Sequence, residues 1–361
     1  MTVCICQNHA SDRRYFYSQS GVQALIYIAT VCYLWCMTTS IDLDRDNDIQ
    51  AHARASHRGQ SPGFQRIRIG KLLITALYDG FVPVPADDLH GAPPAEIHRL
   101  LAEAFLPPEG DRRTAVNAFL VEENGRRILI DAGSGNSLGP DTGYLVTNLA
   151  AAQTDPAEVD HVVLTHLHPD HAGGLISPEG QPVFPRAAVH AAKADADHWL
   201  DPDRSAAATG VQRLVHDTVA RALAPYRETG RFVTFGHADE VVPGVRTVDL
   251  AGHTPGHTGY LLGEGDATVL FWGDTVHSHS VQLRRPSVAA AADSDEHAAI
   301  RSRRKAFDLA SSNRWWVGAA HLPFPGLGHL RRDQYGYSWM PVTYTPVEAP
   351  STEPDAALQI A

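Results

Sequence analysis

The sequence predicts an α/β protein of αββα type, with two mixed β-sheets packed face to face and helices on the outer faces. Three observations carry this expectation. Short apolar runs come in pairs broken by turn residues, amphipathic helical stretches lie between the pairs, and the alternation recurs in two halves of the chain. The first pair, RIRIGKLLITALYDG, is split at Gly70-Lys71, and the second, TAVNAFLVEENGRRILIDAG, is split at Asn124-Gly125, so both read as antiparallel hairpins. Between them, Ile97, Leu100, Leu101 and Phe105 follow Pro93-Pro94 on one helical face. A short buried strand is expected at Val162 to Thr165. An amphipathic helix through Val211, Leu214, Val215, Val219 and Leu223 is expected to end near Pro225. Strands follow at Phe232 to Phe235, Val245 to Leu250, Tyr260 to Leu262 and Thr268 to Trp272, and then a helix from about Asp295 to Ser311.

The 361 residues, 43% hydrophobic and 20% charged, are enough to bury a large core. Lys plus Arg number 30 against 41 Asp plus Glu, a net charge of -11, which disfavours nucleic acid and anionic lipid as partners. All four cysteines, Cys4, Cys6, Cys32 and Cys36, precede residue 37, so the body of the chain has neither disulfide nor thiolate metal site. Arg13-Arg14 followed by the apolar run Val22 to Met37 has the order of an export signal, so residues 1–40 are expected to be a signal-like or anchor segment, or to precede a true start at Met37. The protein is expected to be periplasmic or secreted if residues 13–37 act as that signal, and cytoplasmic otherwise. Residues 41–63 read as a polar linker, 64–345 as the catalytic domain and 346–361 as a flexible tail.

The 20 histidines include a cluster with chemical meaning. His166-Leu167-His168-Pro169-Asp170-His171 follows the strand at 162–165 and supplies four potential ligands in six residues. Alternate side chains at a strand end, 166 and 168, can face one ion while 170 and 171 turn toward a second, and Gly173-Gly174 lets the backbone turn. Further donors come at strand ends. His253 lies in GHTPGH, Asp274 follows Val269 to Gly273, and His321 follows Val317 to Ala320. A carboxylate such as Asp274 can bridge two cations, which a neutral imidazole cannot.

In order and spacing, these elements resemble the metallo-β-lactamase superfamily over roughly residues 64 to 345. The resemblance implies a dinuclear hydrolase in which His166, His168 and His253 hold one divalent ion, Asp170, His171 and His321 the other, and Asp274 bridges them. The expected ions are zinc, with iron, manganese or cobalt as alternatives. Asp131, in Ile130-Asp131-Ala132-Gly133, would support the metal loop, and Asp170 would also carry protons as a catalytic group. The stretch Ala320 to His329, with Gly336-Tyr337 and Pro341-Val342, is similar to the methyl parathion hydrolase branch, near the acyl-homoserine lactonases. On that likeness Leu138, Trp199 and His277 are candidates for the substrate pocket. Leu138 stands where that branch has a rim Phe, and His277-Ser278-His279-Ser280 replaces a more apolar stretch; both departures weigh against an aryl phosphotriester preference.

The function expected is hydrolysis of a lactone, aryl ester or organophosphate triester by a hydroxide shared between the two ions. The alternatives are an iron-dependent oxidoreductase resembling the persulfide dioxygenases and a thioester hydrolase resembling glyoxalase II. The expected partner is a small-molecule substrate, with no nucleic acid and no membrane partner beyond the amino-terminal segment; a homodimer is left open.

Overall fold

The computed structural model describes residues 60–236 and 240–347. The export-like segment, nearly all of the linker and most of the carboxy-terminal tail lie outside the described residues. The unit that begins at Pro62 carries everything that follows.

The first half of the chain supplies β1 (Phe64–Ile69), β2 (Leu72–Pro85), β3 (Leu89–His90), β4 (Asp111–Glu123), β5 (Arg126–Ile130), β6 (His161–Val163), β7 (Ala188–Ala192) and β8 (Phe232–Phe235). Seven of these form a sheet in the order β1-β2-β4-β5-β6-β7-β8, antiparallel as far as β5 and parallel from β5 to β8. The second half supplies β9 (Glu240–Val242), β10 (Val245–Asp249), β11 (Thr258–Leu262), β12 (Val269–Phe271), β13 (Ala289–Ala290), β14 (Trp316–Gly318), β15 (Leu327–Asp333) and β16 (Gly336–Pro341). Its sheet runs β16-β15-β14-β12-β11-β10-β9, with β12 and β14 parallel and the remaining pairs antiparallel. A two-stranded ribbon pairs β3 with β13.

The period-2 alternation of strands sorts side chains into three apolar layers. Along β4 and β5, Phe119, Val121, Ile128 and Ile130 point between the sheets, where they meet Tyr260, Leu262, Val269 and Phe271 of β11 and β12. The alternate residues Leu120 and Leu129 face outward against Leu145 and Leu149 of α2 (Leu145–Ala151) and Val219 and Leu223 of α6 (Gly210–Glu228). On the far side, Leu261 and Leu270 meet Ala306, Phe307 and Ala310 of α8 (Glu296–Asn313), whose first turn is capped by Asp295 accepting from the Ala298 N–H. The remaining helices are α1 (Pro94–Glu103), α3 (Pro169–Ala172), α4 (Lys193–Trp199), α5 (Pro202–Ala207) and α7 (His279–Gln282). The architecture is the expected αββα sandwich. No helix among the described residues is long and apolar enough to cross a membrane.

Three local expectations fail for physical reasons. Helix α1 stops at Glu103, and Phe105 lies beyond its cap with φ 57° and 97% exposure, so it is not on the buried face. Helix α6 runs through Pro225 to Glu228, and its buried face starts at Val215, leaving Val211 and Leu214 exposed. Gly173 and Gly174 have no positive φ. They are needed for close approach, because a Cβ on either would collide with the carbonyl oxygen of Ser134 or Ala132.

Candidate metal centre

The parallel pairs β5/β6 and β12/β14 run out at one end of their sheets, and the loops that follow carry Asp131, His166 to His171, Asp274 and His321. The loop between antiparallel β10 and β11 brings His253 to the same end. Two four-residue groups result, His166-His168-His253-Asp274 and Asp170-His171-Asp274-His321, and within each the potential ligand atoms all lie within 4.8 Å of one another. Asp274 belongs to both. Its Oδ2 is 3.6 Å from His166 Nε2, 3.2 Å from His253 Nε2 and 3.0 Å from His321 Nε2, while its Oδ1 is 3.1 Å from His171 Nε2. His171 Nε2 and His321 Nε2 are each 3.4 Å from Asp170 Oδ2.

Three of the imidazoles are aimed by what their other nitrogen does. His171 Nδ1–H donates to Asp131 Oδ2 at 2.9 Å, His253 Nδ1–H to Asp293 Oδ1 at 3.0 Å, and His321 Nδ1–H to the Ala115 carbonyl at 2.7 Å. Those bonds leave the Nε2 lone pairs pointing at Asp274. Asp131 also accepts from the Thr165 N–H at 2.7 Å, which ties the start of the metal loop to the end of β5. Its backbone sits in the left-handed region, φ 61°, which aspartate tolerates better than most residues.

Burial alone would raise the pKa of Asp274, but His171, His321 and His166 hold it well below the usual carboxylate range. Burial would lower that of His253, yet Asp274 and Asp293 hold it up to about 9. A buried carboxylate ringed by imidazoles thus calls for positive charge at its centre. The donor set fits divalent cations on a second count: His166 Nε2, His171 Nε2 and Asp274 Oδ1 are buried without a hydrogen-bond partner. Orphaned acceptors are costly in a protein interior, and an ion between them removes the cost.

Several buried residues that hold this arrangement escape a reading of the sequence. Asp195, in α4, accepts from the Leu167 N–H at 2.8 Å, Thr254 Oγ1 at 2.9 Å and the Gly256 N–H at 2.5 Å, fastening the metal loop to the His253 loop. In the sequence it is one of several charges in Lys193-Ala194-Asp195-Ala196-Asp197, and no local pattern separates it from a solvated helix face. Asp293 has no sequence signal either; only the fold brings it to His253. His257 Nδ1–H donates to the Leu250 carbonyl at 3.0 Å and its Nε2 accepts from the Asp274 N–H at 3.0 Å, so it joins the base of the His253 loop to the bridging residue.

The three pocket candidates part company. Trp199, expected to line a substrate pocket, is 2% exposed; it packs in the core with its ring 5.4 Å from that of His168 and 5.1 Å from that of His216, so it buttresses a donor. Leu138 is half-buried in the turn 135–138. His277 is buried against the cluster, with Nε2 3.2 Å from Asp274 Oδ2.

An αββα sandwich with this His/Asp constellation at its strand ends defines a metal-dependent hydrolase. The metallo-beta-lactamase superfamily profile matches residues 111–321, more than half of the chain, and the chain belongs to that superfamily. Among solved structures, the hydrolase AbOPH of the beta lactamase superfamily is 34% identical, with a TM-score of 0.76 over 80% of this chain and 100% of its own. AidC, a dizinc quorum-quenching lactonase solved with a product bound, is 24% identical, with a TM-score of 0.69 over 79% of this chain and 99% of its own. An AiiA variant from B. thuringiensis, solved with N-decanoyl-L-homoserine at its active site, is 17% identical, with a TM-score of 0.51 over 72% of this chain and 93% of its own. The last two likenesses show the fold alone. A search of curated protein sequences returned no match.

Proposed function

We infer that the protein hydrolyses a small ester-like substrate, a lactone, an aryl ester or an organophosphate triester, with two zinc ions held by the seven side chains described above. The observation that supports this most is Asp274, one carboxylate shared by two complete donor groups. His166, His168 and His253 would hold one ion with it, and Asp170, His171 and His321 the other. Nitrogen and oxygen donors without thiolate suit zinc, and such a pair, when bound, would supply a hydroxide nucleophile near neutral pH and a Lewis acid for the substrate oxygen.

The chain's own residues supply orientation and proton handling. Asp131 and Asp293 keep the imidazoles in the tautomer that presents Nε2. Asp170, whose side chain is 14% exposed, would pass a proton through its carboxylate oxygen to the departing group. AbOPH, a hydrolase, and AidC, a dizinc lactonase, accord with this reading. A mononuclear iron oxidoreductase would leave Asp170, His171 and His321 without a task.

Initial rates on a matched panel of lactone, aryl ester and phosphotriester, with a chelator-stripped control, test the proposal. Turnover of at least one of the three that disappears on stripping and returns with zinc is expected. No turnover of any of them by the metal-loaded chain would refute it.

A further inference from the structure

Four ring nitrogens approach Asp274 Oδ2, and three of them belong to the donor groups. The fourth, His277 Nε2 at 3.2 Å, belongs to neither four-residue group; it falls in a separate group with His253 and Asp293, whose Oδ1 accepts from His253 Nδ1–H. His277 is therefore beside the coordination sphere rather than in it. Its ring lies 5.2 Å from that of His321, nearly parallel, and 4.9 Å from that of His253, so it spans the two groups across their shared carboxylate.

Its placement is built. The His277 and Ser278 N–H groups both donate to Gln282 Oε1, at 2.8 and 3.1 Å, and Gln282 Nε2 donates to the Val288 carbonyl. Buried Arg303 donates to the Thr275 carbonyl at 2.7 Å, clamping the loop from its other end. Yet His277 Nδ1 is buried with no partner, which a purely structural histidine would not leave unmet.

Exposure places His277 on the substrate side. The side chains of His166 and His171 are 0% exposed, whereas those of Asp170 and His277 are 14% and 8%. Two residues past His277, and two past His321, the chain lines a cavity of about 520 Å³ with His279, Ser280, Pro323, Phe324 and Trp339 in its walls. That cavity has room for an acyl or aryl group.

We propose that His277 is a further catalytic residue, an imidazole whose N–H donates a hydrogen bond to the substrate oxygen on which negative charge develops. The proton stays on the ring, so the step needs no other reactant. This rests on the ester-hydrolase reading above. A donor set beside cations can stabilise an oxyanion without competing for their coordination.

The test compares His277→Phe, which keeps a ring and loses the donor, with His277→Gln, which restores one. The readouts are kcat and KM on the best ester, metal equivalents per chain, and affinity for the ethyl methylphosphonate anion, a stable tetrahedral oxyanion. Loss of one such donor costs about 100-fold or more in kcat. We expect His277→Phe to lose about that in kcat and in phosphonate affinity, with KM within about threefold and metal content unchanged, and His277→Gln to recover at least about a tenth of each. Wild-type kcat and phosphonate affinity in His277→Phe would overturn the proposal, as would loss of metal from it, which would make His277 a ligand. If the wild-type chain cleaves no ester, the hydrolase reading fails separately, and the phosphonate comparison still decides the role of His277.

Discussion

Replacing Asp195 by asparagine changes one atom and tests how the two halves of the site are held together. The carboxylate is fully buried and accepts from Leu167 and Thr254 through Oδ2 and from Gly256 through Oδ1. Leu167 stands between His166 and His168, and Thr254 follows His253, so three of the four donors of one group depend on this tie. An amide can keep its oxygen on the Leu167 and Thr254 side only by turning its NH2 toward the Gly256 N–H. One charge-assisted bond is lost and two buried donors face each other, at a cost of about 1.5–3 kcal/mol. Burial raises the Asp195 pKa, and relief of that buried charge offsets part of the cost. Disturbing a residue that orients metal ligands costs about 10- to 100-fold in affinity. Competition of the zinc-loaded protein against a graded set of chelators should show the ion held by His166, His168 and His253 lost about 10- to 100-fold more readily in Asp195→Asn, and the other, held by Asp170, His171 and His321, moved by less than about threefold. Unchanged affinity for both ions, or equal loss of both, would refute the reasoning.

Asp79 is buried and accepts from the Ser134 and Leu145 N–H groups at 2.7 and 2.9 Å, and burial lifts its pKa from 3.8 to about 6. Its folded pKa lies above the unfolded one, so its contribution is most favourable below about pH 4 and is lost as pH rises through about 6. That difference of roughly two units is worth about 3 kcal/mol. Urea unfolding of the metal-free chain between pH 4 and 7 should show this slope in the wild type and lose it in Asp79→Asn; the same slope in both contradicts it. Phe271, buried between the sheets with its ring 5.1 Å from that of Phe119, should cost about 3–5 kcal/mol when cut to alanine, and a loss below about 1 kcal/mol in urea unfolding would mean the inter-sheet core is not as described. Phe105 holds a left-handed backbone while nearly fully exposed, so Phe105→Gly should raise stability by about 1 kcal/mol and the Tm with it; a lower Tm would count against that strain.

Much of this protein can be read from its chain because its informative segments are local. The hairpins β1/β2 and β4/β5 show themselves by alternation around Gly70-Lys71 and Asn124-Gly125, and the six-residue run from His166 concentrates donors that are rarely adjacent by accident. Strand β7 is hidden because AVHAA is too weakly apolar to stand out, although it fills the sheet between β6 and β8. The β15/β16 hairpin is hidden because its exposed face is strongly polar, in LGHLRRD. Apolar spacing overshoots at Val211 and Leu214, where the helix has begun but no neighbour yet covers it. Asp195, Asp293 and the position of His277 are products of tertiary contact: each meets its partner only when loops distant in the chain converge.

Metal analysis of the full chain, produced without added metal, tests the central claim most directly. Two equivalents per chain, predominantly zinc, are predicted from the two donor groups that share Asp274. A single equivalent, or iron alone, would contradict it.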